Sequence, residues 1–131
     1  MRIARPAAIV AVALFSVLTA SAHHSFTAEF DIGRRVEFTG TVTRVEWTNP
    51  HAWVFLETED DEGVVQSWAV ELLGVNTLMG RGLTPDRILP GDLILVEGYG
   101  ARNGTNTANA SALTKSDTGE ELWASAPGDR N

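Results

Sequence analysis

The sequence predicts an all-β domain with one short helix, built as a five-stranded Greek-key barrel of the oligonucleotide/oligosaccharide-binding (OB) type. Three observations carry this. Apolar and polar residues alternate with period two in short runs separated by turn signals, the mark of half-buried strands. One helix-like stretch lies between the third and fourth runs, giving the order βββαββ with room for a C-terminal edge strand. The first run is long, has Gly40 at its centre and slips phase towards its end, as expected of a strand that bends to serve both halves of a small barrel. An open β-sandwich is the alternative architecture.

The chain starts with a positive head, Arg2 and Arg5, an uncharged apolar stretch from Ala7 to Leu18, and the small-residue string Ala20-Ser21-Ala22. This is the pattern of a cleavable secretory signal over residues 1–22, with cleavage expected between Ala22 and His23. At about 12 residues the apolar stretch falls short of the ~20 that span a bilayer. A periplasmic or secreted protein with no membrane span after processing is therefore expected. No cysteine is present, which removes disulfides, thiolate metal sites and thiol nucleophiles. Of 10 basic residues two leave with the leader while all 17 acidic ones stay, so the mature chain is more negative than the −7 of the whole. That sign argues against a nucleic-acid partner, which needs cations to replace phosphate counterions.

Residues 23–35 read as an extended arm that docks through Phe26 and Phe30. Residues 36–124 read as the barrel and 125–131 as a frayed tail. Val36, Phe38, Gly40 and Val42 alternate with Glu37, Thr39, Thr41 and Thr43, after which the apolar phase moves to Val45 and Trp47. Thr48-Asn49-Pro50 breaks this strand, since proline donates no ladder hydrogen bond. A second strand, His51 to Glu59, is apolar on both faces and is expected to be covered on both. Asp60-Asp61-Glu62-Gly63 is a hairpin tip and Val64 to Leu72 the return strand. Asn76 is positioned to cap a short helix ended by Gly80 or Gly82. Pro90-Gly91-Asp92 and Asn103-Gly104 are turns around a fourth strand, Leu93 to Tyr99. Thr107 to Thr114 is the fifth strand, and Glu120 to Ala124 can add an edge.

His23-His24-Ser25-Phe26, Gly40-Thr41-Val42 and Val45-Glu46-Trp47-Thr48-Asn49-Pro50-His51 together resemble an uncharacterised family of small exported bacterial proteins, a domain of unknown function. Pro90-Gly91-Asp92, Val96-Glu97-Gly98-Tyr99 and Asn106-Thr107-Ala108-Asn109-Ala110 fit the same pattern. The resemblance covers nearly all of the mature chain, and the Trp-Thr-Asn-Pro-His string is its most specific part. It implies export and one compact β-rich domain, and no activity.

The three histidines, His23, His24 and His51, carry the sharpest chemistry. Cleavage before His23 would set a free amine beside its imidazole, a chelate suited to copper(II) among first-row metals. His51 could add a third nitrogen, or His24 could bind with the amine and the intervening amide. Against this, chain starts are often unengaged, and His51 could simply cap or pack beside Pro50 and Trp53. Trp53, Asn49 and Phe55 are candidates to shield such an ion or to form a ligand face. The metal-independent alternative is an interaction module that holds a peptide, an envelope component, its own copy or an unknown periplasmic protein on the face of Trp53 and Phe55. The acidic stretch Glu57 to Glu62 lacks the ligand spacing of a calcium loop. Trp47 and Trp68 are expected in the core. No Gly-x-Ser-x-Gly elbow, phosphate loop or His-Glu-x-x-His helix is present, so no enzyme class is indicated. An oxidative copper enzyme would rest on the histidines alone.

Overall fold

The alternation that begins the barrel is part of one 17-residue strand, β1 (Phe30–Glu46), preceded by a single helical turn, α1 (Phe26–Glu29). The computed structural model describes residues 26–129. The strand starts six residues earlier than its alternation suggests, because residues 31–35 pair irregularly with a later strand, with a register shift between Phe30 and Arg35. The N-terminal arm is thus helical for one turn and strand from Phe30. It docks by the expected rings: Phe26 stacks on Phe30 at 5.6 Å and meets Tyr99 edge-on at 5.7 Å.

β2 (Trp53–Glu59), β3 (Val65–Glu71), β4 (Leu93–Ala101), β5 (Thr107–Lys115) and β6 (Glu121–Ala124) follow, with helix α2 (Val75–Gly80) between β3 and β4. The sheet runs β3-β2-β1-β4-β5-β6. A parallel pairing of β3 with β5, from Ala69↔Thr107 to Glu71↔Asn109, closes the first five strands into a ring. This is the expected all-β OB-like barrel, with β6 added on the edge of β5.

Local chemistry explains the curvature. The phase slip in β1 is a bulge in its pairing with β2: Val42 faces Leu56 and Arg44 faces Phe55, leaving Thr43 as the extra residue. At Gly40 a Cβ would lie 3.0 Å from the Glu57 carbonyl oxygen, a tight approach that glycine relieves at the bend. Gly98 is tighter still, with a Cβ placed 2.2 Å from the carbonyl oxygen of Asn109. β4 and β5 approach one another there only because no side chain stands between them.

Inside the ring Val42, Val54, Leu56, Val70, Ile94, Val96 and Leu113 are buried, joined by Leu78, Leu83 and Ile88 from α2 and the connector after it. The interior is a packed core. Trp123 belongs to it, whereas Trp47 and Trp68 are half-buried at its margins, and Trp68 stacks on Phe38 at 4.2 Å.

Four details differ from the sequence expectation. The second strand begins at Trp53, and His51 lies in the turn before it. Its outer face is half-covered: Trp53 and Phe55 are intermediate in exposure, and the Arg44 guanidinium sits 3.9 Å over the Phe55 ring. The helix cap is Gly74, with Asn76 inside the helix. From Ser125 to Asp129 the chain is tied, since Ser125 N–H donates to the Ser111 carbonyl at 2.7 Å and Arg81 pairs with Asp129, while Arg130 and Asn131 lie outside the described residues. Among the described residues no helix is long and apolar enough to cross a membrane.

Candidate metal centre

The string Trp47-Thr48-Asn49-Pro50-His51 is a device for holding one imidazole. The Thr48 hydroxyl donates to the His51 carbonyl at 2.9 Å, closing the turn. Asn49 Oδ1 accepts the Val75 N–H at 3.2 Å, pinning the turn to the start of α2. Asn49 thereby supplies the side-chain acceptor that the Gly74 cap lacks. Ala52 exchanges hydrogen bonds with the end of β3 on both sides, its N–H to the Leu73 carbonyl at 3.0 Å and its carbonyl from the Leu72 N–H at 2.9 Å. His51 is left with its backbone fixed beside the last residue of β3.

That residue is Glu71, and His51 Nδ1 lies 2.6 Å from Glu71 Oε1. Glu71 is the one charged residue among the buried ones described, 5% exposed. Its partners follow from the register. Trp53 faces Glu71 across β2–β3, and Asn109 faces it across β3–β5, so all three side chains project from the outer wall. The Asn109 side chain hydrogen-bonds the carboxyl. Burial pushes the Glu71 carboxyl up to about 7, nearby Glu29 pushes the same way, and the Asn109 bond opposes them.

The wall is roofed by the N-terminal turn. Arg102 donates to the Thr27 carbonyl at 2.7 Å and its own N–H to that of Glu29 at 2.9 Å, while Arg34 donates to the Ala101 carbonyl at 2.6 Å. These bonds seat α1 over the β4–β5 turn. Between them a cleft of about 340 Å³ is lined by Glu29, Phe30, Trp53, Glu71, Arg102 and Thr107, among others. Trp53 therefore shares the Glu71 side of the wall, while Phe55 lies under Arg44, away from the cleft lining.

The arrangement suits a ligating histidine. Imidazoles that bind metals commonly give their second nitrogen to a carboxylate, which fixes the tautomer and strengthens the donor. Here Nδ1 is engaged by Glu71, so Nε2 of a ring that is 40% exposed is the nitrogen left to bind. Among the described residues no three histidine, aspartate or glutamate side chains form a metal-binding group. His23 and His24 lie outside the described residues, three and two positions before Phe26.

Sequence reasoning missed Glu71, Asn109 and Glu29. Hairpin counting from the Asp60–Gly63 tip would have set Glu71 opposite Trp53. The Asn109 partnership depends on barrel closure, for which no local signal exists.

Fold and site together define a small closed β-barrel that carries a carboxylate-backed histidine on its outer wall. The chain belongs to the family of unknown function DUF6152, whose sequence profile matches residues 10–110. No curated protein matches it.

Proposed function

We propose that this is an exported, periplasmic accessory protein that captures copper(II) after cleavage between Ala22 and His23. The amine and imidazole of His23 would grip the ion and His51 Nε2 would complete the set, with His24 as the alternative to His51. Trp53 would shield the ion from the cleft side. The observation that carries this reading is the His51–Glu71 contact, a buried carboxylate held against one imidazole nitrogen. A second support is placement. Residues of the N-terminal turn and Glu71, the partner of His51, line one cleft, and His23 precedes that turn by three residues. Amine and imidazole donors suit copper(II) above zinc or nickel. The copper chelate supplies tight, exchangeable binding of the ion; the chain's own part is to fix the imidazole and exclude bulk water from one side.

The test is a competition titration with Cu(II) on protein that starts at His23. Substitution His51→Ala should weaken binding by at least tenfold, and one added N-terminal residue should weaken it further. Affinity equal to that of a free His-His peptide in all forms would overturn the reading. Metal-independent capture of a peptide on the wall is the second reading, favoured by the cleft beside Trp53. It predicts that neither change matters to capture.

A further inference from the structure

The barrel is closed over only part of β3. All seven residues of β3 pair with β2, yet β5 takes up only Ala69 to Glu71 on the other side. Among the described residues, no strand pairs with Val65 to Trp68 on that second edge. The polarity of the edge can be read from its neighbour. Ala69 N–H donates away from β2, to the Asn106 carbonyl at 3.0 Å. Backbone groups alternate along a strand, so the N–H and C=O of Val65 and Ser67 face the open side as well. Open edges are usually guarded by lysine, proline or a bulge. Val65-Gln66-Ser67-Trp68 has none of these.

We propose that this edge takes up an extended segment of another protein, one in which cationic residues alternate with apolar ones. Strand addition uses main-chain hydrogen bonds for affinity and alternate side chains for choice, and both faces here state a preference. On the inward face Trp68, stacked on Phe38, lines a cavity of about 370 Å³ with Val64, which is 50% exposed, while Gln66, Glu59 and Asp60 stand at its rim. Apolar side chains fit against the Phe38–Val64–Trp68 part of it. The opposite face and the adjoining tip carry Glu57, Glu59, Asp61 and Glu62, all exposed, and these match cationic side chains. A second copy of this chain would set like charges against one another, so self-pairing is disfavoured. The inference is independent of the copper reading, since the segment lies on a different part of the wall.

The experiment is amide NMR of the full mature chain titrated with a synthetic peptide alternating lysine and valine. Saturable shifts centred on Val65 and Ser67, slowed amide exchange at both, and an affinity that falls at least tenfold with raised salt are the expected result. Ser67→Pro should abolish the response while sparing the ladder to β2, because its N–H faces the open side. Val65→Lys should weaken it at least tenfold without a proline. No saturable shift, shifts confined to the cleft at Trp53, an equal response to a glutamate–valine peptide, or self-association through these amides would each overturn the proposal.

Discussion

The same strands show two different chemistries on their two faces. Inward, β2, β3 and β5 present Val54, Val70 and Ala108, all fully buried in an apolar core whose one buried side-chain polar atom without a partner, among the described residues, is the Trp123 indole nitrogen. One residue along each strand, outward, they present Trp53, Glu71 and Asn109, a polar row roofed by α1. The inner face accounts for stability, since each buried aliphatic side chain contributes about 1.5–3 kcal/mol. The outer row does the opposite. Taking a carboxyl out of water is unfavourable unless it is well partnered, and the raised pKa of Glu71 records that its partners do not fully compensate. A fold seeking stability alone would put an apolar residue there, so the row is where function is to be sought.

Substitutions on either face put this contrast to the test. The largest effect is expected inside. Leu56→Ala, at a position 1% exposed, should lower unfolding free energy by about 2–5 kcal/mol in denaturant titration, with copper affinity per folded molecule unchanged. Next comes Glu71→Gln. Between the ordinary 4.5 and about 7 the folded chain holds a proton that the unfolded chain releases, so this contribution to stability is full below 4.5 and lost as pH rises through 7. The variant should therefore melt above the parent at pH 8, with the difference vanishing towards pH 4. Copper affinity should move the other way, falling roughly 10–100-fold as the carboxylate behind His51 is lost. A variant that melts lower at pH 8 would mean that the carboxylate stabilises the fold.

Removing the roof is smaller. Phe26→Ala deletes the ring that stacks on Phe30 and meets Tyr99 edge-on and should cost about 1 kcal/mol, with faster amide exchange across residues 27–30. Arg44→Ala uncovers Phe55, two residues along β2 on the same outer face as Trp53. It should cost about 0.5–1 kcal/mol and leave copper binding untouched, separating the Phe55 surface from the cleft.

What was legible in the chain follows the same division. The alternation from Val36 to Val42, the slip to Val45 and Trp47, and the hairpin at Asp60–Gly63 are local patterns, and each appears where the residues put it. The start of β1 is hidden because Asp31 and Gly33 are poor strand formers and Arg34-Arg35 interrupts the apolar alternation; pairing with β4 recruits them. Asn76 has the residue type of a cap, but the acceptor comes from Asn49, 26 residues before the Val75 N–H that it receives. His51 could be singled out from the sequence because histidine is rare here. Glu71 could not, being one of 17 acidic residues until the closure of the ring buries it beside Asn109.

Copper capture at His51 is tested most directly by pulsed electron paramagnetic resonance on Cu(II)-loaded protein beginning at His23, compared with its His51→Ala variant. Coupling to the remote nitrogens of two imidazoles, those of His23 and His51, is expected, falling to one in the variant, alongside an equatorial amine nitrogen in both. Identical spectra from the two proteins would contradict it.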